Sequence, residues 1–258
     1  MNFTDLELTS WLADLLWPFM RIGAMFSAVP ILSARSVPVR IRILLSMSIA
    51  WILLPIIPAS PVVDLISAEA VLISVYQVFI GLAMGFIFQM VFSVFVIAGQ
   101  SIAMAMGLGF ASMIDPQNGV QVPVVSQVFL IMVTLIFLAL NGHLLLIQVI
   151  AESFKQLPVG PLVPSRDGLW QLVIWGSDMF TGGVLLALPA VAALLLVNLA
   201  FGVTARAAPQ LNIFAVGFPV MILVGLIFIT LTLPALTDHL SRLMTHAFSL
   251  IQTFIHSV

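Results

Sequence analysis

The sequence predicts an all-α, polytopic membrane protein, and two observations carry that prediction. First, 62% of the 258 residues are hydrophobic and only 7% are charged, whereas soluble domains carry about 25% charged residues. Second, the apolar residues form continuous runs, without the alternating pattern of a transmembrane β-barrel. Helices are the expected spanning elements, because they satisfy their backbone hydrogen bonds internally where no water is present.

Six apolar segments are candidates for membrane-spanning helices. As a helix, the third would be roughly 54 Å long, well beyond the hydrocarbon core of about 30 Å. We therefore expect it to bend near Gly81, Gly85 or Gly99, or to project beyond the membrane. The six segments are residues 11–32, 41–57, 70–105, 124–150, 170–201 and 213–233.

Residues 239–258 show a different, amphipathic pattern. Leu240, Met244, Ile251 and Phe254 recur at helical spacing, with polar residues on the other side. This spacing predicts an amphipathic helix. Its polar face has few lysines or arginines to hold anionic lipid, so we expect it to dock on protein rather than lie on the membrane.

The segment between the third and fourth apolar runs is unusual for a water-exposed connection. It contains helix-breaking and turn-forming glycine and proline, yet most of its side chains are apolar and Asp115 carries its only charge. Lipid cannot satisfy an irregular backbone, so such a segment should be buried in protein or line a cavity. We interpret it as an apolar plug made by Met106, Gly107, Gly109, Phe110, Met113, Asp115 and Pro116.

Arg21 lies within the first apolar segment, where a charge costs on the order of 2.5–3.5 kcal/mol. We interpret it as a structural charge paired with a neighbouring helix or subunit. A proton or ion relay with Asp14, seven positions earlier, is the alternative. Several uncharged polar residues are also expected to pack between helices or against partners. The candidate structural or partner-packing residues are Arg21, Gln100, His143, Gln210 and Asn212.

Catalytic and metal-binding patterns are lacking in the sequence. The chain has no cysteine, which excludes disulfides, thiolate metal sites and a cysteine nucleophile. It contains neither an HExxH zinc motif nor a GxSxG serine motif. We therefore expect no enzymatic activity, no cofactor and no metal.

Several short motifs, in their order and spacing over nearly the whole chain, resemble the FliR/SctT family of type III export-gate proteins, with its flagellar branch favoured. Two positions depart from the family pattern, which has an acidic residue near Gln77 and a lysine near Met221. The resemblance carries no ion-pair role to these two residues. The motifs are Arg21 with Pro30, the Arg35–Arg40 turn, Gly99-Gln100, residues 107–119 with Asp115-Pro116, Asn141-Gly142-His143 and Ala208–Pro219.

The resemblance implies a subunit of a helical pore that exports unfolded flagellar proteins, driven by proton-motive force and a separate ATPase. Its implied partners are FliP, FliQ and FlhB, in the bacterial inner membrane at the flagellar basal body. It also implies a FliP-like part over residues 1–156, fused to a FliQ-like helical hairpin over residues 157–258. The segment 106–123 would protrude into the pore and plug it.

Charge distribution gives a weak preference for orientation. Arg35, Arg40, Arg42 and Arg206 lie on one predicted side, against three basic residues on the other. The positive-inside rule then places both the N-terminus and the C-terminal helix in the periplasm. Two other functions remain open at this point: an ion-coupled secondary transporter with broken helices, and the virulence-secretion (SctT) counterpart.

Overall fold

The computed structural model describes residues 5–34, 37–61, 63–64, 66–108, 124–161, 165–208 and 213–256, and every regular element among these residues is a helix. An all-α fold is therefore confirmed for the described part of the chain. The helices are α1 (Asp5–Ala28), α2 (Pro30–Ser33), α3 (Val39–Leu53), α4 (Ala68–Ala105), α5 (Val124–Ala139), α6 (Gly142–Gln156), α7 (Arg166–Ala207) and α8 (Ile213–His256).

Three of the described helices, α4, α7 and α8, are long and apolar enough to cross a membrane. The pair α5 and α6 adds a fourth crossing if its two helices, bent by 69°, act as one span. The predicted count of six is not confirmed. Of the first two predicted segments, α1 carries Asp14 and Arg21, and α3 has only 15 residues, or about 22 Å of helix.

Two predicted boundaries differ from the observed helices. The third apolar run is one unbroken helix, α4, of 38 residues. Helix α8 continues through Pro219 and Pro234 for 44 residues, so the predicted separate tail helix was wrong and that stretch is the end of α8. Its predicted apolar face is confirmed, since Leu240, Ala247 and Phe254 are fully buried.

The fourth predicted segment is broken at Asn141. This residue has φ 57 and lies in the left-handed region, which asparagine tolerates better than most residues. Helix α5 therefore ends and α6 starts in a new direction after two turn residues. The sequence Asn141-Gly142 marks a bend rather than the middle of a straight span.

The chain divides into two compact units. The first comprises Met1–Met90, Leu138–Gly176 and Met244–Val258, and the second comprises Val91–Phe137 and Ser177–Leu243. The proposed division at residue 156 follows a family resemblance rather than compactness, so it stays a prediction.

In the first unit, α1 and α4 run parallel in very close contact. A Cβ atom on Gly81 would collide with the Arg21 carbonyl, and one on Gly85 would lie 2.6 Å from the Met25 carbonyl oxygen. The side chain of Ala24 fills the remaining space beside Gly81. The Gly81-x-x-x-Gly85 pattern therefore packs two helices of the same chain, because only glycine lets the backbones approach this closely.

The second unit holds α4 against α5 and α7 through similar contacts. A Cβ atom on Gly183 of α7 would lie 2.7 Å from the Ile97 side chain. The rings of Phe92 and Phe137 are 5.5 Å apart between centroids and tilted by 60°, within the range of favourable aromatic pairs. Small and aromatic side chains thus fix the last turns of α4 within this unit.

Candidate functional site

Only two of the predicted plug residues, Met106 and Gly107, belong to the described residues. Gly109, Phe110, Met113, Asp115 and Pro116 lie outside them, as do Gln210 and Asn212. The site can therefore be built from the two flanks of residues 109–123, and from the polar groups buried elsewhere.

The first flank is the end of α4, which stops at Gly107 in a Schellman motif. Gly107 has φ 83; its N–H donates to the Met104 carbonyl at 3.0 Å, and the Leu108 N–H donates to the Ala103 carbonyl at 3.0 Å. Glycine adopts this left-handed conformation without strain. The prediction that Gly107 ends a helix is confirmed, and the motif fixes the direction in which the chain leaves α4.

Met106 lies flat against helix α8. Its side chain is 2% exposed, and a Cβ atom on Gly225 would lie 2.5 Å from its Cγ and Sδ atoms. About two turns earlier on α8, the Phe218 ring borders Gly107 at 3.7 Å from an added Cβ. We call Met106, Gly107, Phe218 and Gly225 the Met106 anchor.

The second flank is the first turn of α5. A Cβ atom on Gly99 would lie 2.6 Å from the Ser126 Cα atom, and the Ser126 hydroxyl donates to the Val96 carbonyl at 3.1 Å. Ser126 is fully buried. The chain that leaves α4 after Leu108 thus re-enters a helix that is fixed against α4.

Apart from these two flanks, a polar site surrounds Arg21, which is fully buried. Its Nε donates to Gln77 Oε1 at 2.8 Å, Nη1 to the Ser153 carbonyl at 3.1 Å and Nη2 to the Leu157 carbonyl at 3.0 Å. The guanidinium carbon lies 4.2 Å from the centre of the Phe154 ring, a cation–π distance. We call these five residues the Arg21 cluster. The expected pairing with a neighbouring helix is present, although the partner is not an acid.

The counter-charge of Arg21 comes from the end of a helix. Ser153 and Leu157 belong to the last turn and cap of α6, where unpaired carbonyls carry the negative end of the helix dipole. Gln77 is a neutral partner, and its Nε2 is buried without a hydrogen bond in the described structure. The cluster therefore ties α1, α4 and α6 together around one cation.

Asp14 takes no part in this cluster. Its Oδ1 accepts a hydrogen bond from the Ser60 N–H at 2.8 Å. Arg21 and Asp14 thus have separate partners. The alternative of a proton or ion relay between them is not supported by a direct contact. Among the described residues, no group of three or more histidine, aspartate or glutamate side chains could hold a metal ion.

Gln100 and His143 are both exposed. Gln100 lies one turn before Met104, which is 64% exposed on the same face of α4. His143 occupies the first turn of α6. Their exposure suits contact with a partner, while the structure gives neither a buried structural role within this chain.

Comparison with known proteins decides the family. Residues 12–247 match the family described as bacterial export proteins, family 1. The flagellar biosynthetic protein FliR of Escherichia coli strain K12 is 36% identical over 99% of this chain and 97% of its own length. FliR of Pectobacterium carotovorum is 34% identical over 97% of this chain and 96% of its own length. FliR of Aquifex aeolicus is 32% identical over 96% of this chain and 95% of its own length. The chain belongs to the FliR family.

Sequence reasoning missed two features of this family member. Gln77 was noted only as a departure from the family pattern, yet it binds the Arg21 guanidinium. Gly225 was not singled out, although it receives the Met106 side chain. An interrupted apolar run with a lone glycine could have pointed to a close approach at Gly225, but not to its partner.

Proposed function

We propose that this protein is a subunit of the flagellar type III export gate in the bacterial inner membrane. Its FliR relatives are named flagellar biosynthetic proteins, and the matching family is described as bacterial export proteins. These findings support a component of flagellar export. The finer proposal is that residues 106–123 close the resting pore and yield to an unfolded protein during export.

The observation that carries this proposal concerns the two flanks of residues 109–123. Both flanks are fixed, and the chain between them is much longer than is needed to connect them. Gly99 is adjacent to Ser126, so Leu108 and Val124 are separated by on the order of 10 Å along the helix axes. The intervening chain can span up to roughly 50 Å. A surplus of this size suits a segment that reaches into a channel and returns.

The side chains of this segment suit a seal without chemistry. An apolar constriction loses its water and so blocks ions without a charged filter. The thioether chain of Met113 can fill gaps and still rearrange, and Phe110 supplies bulk. The segment would then act on exported proteins by steric closure alone, with no cofactor and no reaction.

The proposed partners are FliP, FliQ and FlhB, with the FliP-like part over residues 1–156 and the FliQ-like hairpin over 157–258. Two long helices leave apolar surface for contact with partner helices or with lipid. Within their most hydrophobic windows, α7 and α8 are each only 22% buried. In the proposed orientation the N-terminus and the end of α8 face the periplasm, at the base of the flagellum.

The two alternatives receive less support. An ion-coupled transporter needs acidic residues around a central site, but Asp14 is bonded to the Ser60 backbone and Asp178 is exposed. A virulence-secretion role is weakened by the names of the relatives, since those reported above are flagellar proteins.

The plug is tested by replacing Phe110 with alanine, or by deleting Gly107–Gly109, in cells that co-express the partner proteins. We expect ion leakage across the inner membrane to rise, because the apolar seal loses bulk or support. Phe180→Ala is the matched control, since Phe180 is exposed on α7. Unchanged conductance in both plug variants, at normal levels of assembled complex, would refute the plug.

A further inference from the structure

A cavity of about 160 Å³ lies between α1 and the end of α3, within the first compact unit. Asp14 of α1 is the charged residue in its lining, and the rest of the lining comes from the chain that follows α3: Leu54, Ile57, Pro58 and Ala59. One water molecule needs only about 10–15 Å³ of such space. The cavity is therefore large enough for the end of a long side chain.

The polar groups at this cavity give it a negative potential. The Asp14 carboxylate uses Oδ1 to accept from the Ser60 N–H, and it forms no ion pair with a described lysine or arginine. Leu54 caps the C-terminus of α3, whose last turn carries no basic residue, so the negative end of this helix dipole adds to the charge of Asp14. The site thus attracts a cation that the described part of the chain does not supply.

Exposed tryptophans flank the negative cavity on both helices. Trp11 of α1 is 66% exposed and Trp51 of α3 is 67% exposed. Trp11 precedes Asp14 by three residues, and Trp51 precedes Leu54 by three, so each tryptophan lies on the cavity side of its helix. Large aromatic side chains around a central charged pair are typical of the energetically dominant part of protein–protein interfaces.

We propose that this cavity receives a lysine or arginine side chain from another subunit of the export complex, with Trp11 and Trp51 packed around it. This docking site rests on the assembly proposed above, but not on the plug. The incoming cation forms a charge-assisted hydrogen bond with the Asp14 carboxylate. The tryptophans then exclude water from that bond, which strengthens it.

Two other occupants fit the site less well. For a metal ion, the described residues offer no group of three or more histidine, aspartate or glutamate side chains. A zwitterionic lipid headgroup would bring its phosphate close to Asp14 and to the negative end of α3, and the lining has no cation to bind that phosphate. A cationic side chain brings positive charge without an attached anion.

Thiol protection tests whether a partner subunit fills the cavity. The chain has no cysteine, so Ala59→Cys places the only thiol of this subunit in the cavity lining. In membranes that contain the complete complex, we expect maleimide to label residue 59 roughly tenfold more slowly than in membranes that contain this subunit alone. Asp14→Asn keeps an oxygen for the Ser60 N–H but removes the charge, and should restore fast labelling. Asp178→Asn, at an exposed acid of α7, is the matched control and should leave the protection unchanged.

Charge reversal tests the sign of the occupant. Asp14→Lys places a second cation at the cavity, so the amount of partner protein that co-purifies with this subunit should fall roughly tenfold, because like charges repel. Asp178→Lys is the control and should retain the partners. Second-site changes that restore assembly to the Asp14→Lys protein should replace a lysine or arginine of another subunit by a neutral or acidic residue. Restoring changes confined to this chain would overturn the proposal.

The remaining outcomes separate the docking site from the assembly and from misfolding. Loss of partners from an Asp14→Asn subunit that keeps its membrane level and thermal midpoint supports the proposal. Slow labelling of residue 59 in the subunit alone assigns the cavity to lipid or to this chain, and overturns it. Equally fast labelling with and without an intact complex overturns the docking site and leaves the assembly standing. If the parent subunit co-purifies with no other membrane protein, the assembly proposed above fails as well.

Discussion

The Arg21 cluster and the Met106 anchor hold different parts of α4 by different kinds of contact. Around Arg21, a buried cation on α1 donates to fixed acceptors on α4 and at the end of α6, and a Cβ atom on Gly81 would collide with a backbone carbonyl. At the other end of α4, Gly225 meets only the flexible end of one methionine. Backbone atoms cannot move aside individually, whereas a thioether can change rotamer. We infer a rigid clamp at the first site and an adjustable contact at the second.

The largest expected effect is that of Arg21→Ala. It leaves Gln77 Oε1 and the Leu157 carbonyl without the donors that Arg21 supplies in a buried site, and should cost about 1–3 kcal/mol of stability for each acceptor left unpaired. The measurement is the thermal midpoint and membrane level of the subunit in its complex. Arg21→Lys should lose less, because it keeps the charge but cannot reach all three acceptors. A stable Arg21→Ala protein would show that the Arg21 cluster is not a rigid clamp.

A smaller loss of stability is expected for Gly81→Ala. The added methyl group collides with the Arg21 carbonyl, and overpacking of this kind costs about 1–3 kcal/mol. Gly202→Ala is the control; with no neighbour within 4 Å, it should be neutral or stabilising by about 0.5–1 kcal/mol. Gly225→Ala should lie between them in thermal stability. If it destabilised as much as Gly81→Ala, the distinction between a rigid and an adjustable contact would be lost.

The smallest expected effect is a gain from Gln77→Glu. A carboxylate would accept from the Arg21 guanidinium as a charge-assisted hydrogen bond, and would remove the unpaired Nε2 atom of Gln77. We expect stability to rise by about 1 kcal/mol, seen as a higher thermal midpoint. Gln77→Leu, which leaves the guanidinium Nε unpaired, should lower it. A lower midpoint for both variants would show that the cluster prefers a neutral partner.

Hydropathy could not distinguish a central helix from a peripheral one. The most hydrophobic windows of α4, α7 and α8 are about equally hydrophobic, yet 67% of the α4 window is buried against 22% for each of the others. The reason is that apolar side chains suit both lipid and protein surroundings. The glycines of α4 were the better signal, since Gly81 and Gly85 mark a close approach of backbones.

The sequence alone determined the all-α membrane class, the FliR family and the helix end at Gly107, because hydrophobic runs, motif order and glycine's left-handed freedom are local properties of the chain. It could not determine that Gln77 and the end of α6 balance the charge of Arg21, or that Gly225 receives Met106. These contacts join residues 56, 132 and 136 positions apart in the Arg21 cluster. Only the packing of helices decides which distant acceptors a buried cation meets, and which recess is free for a side chain to fill.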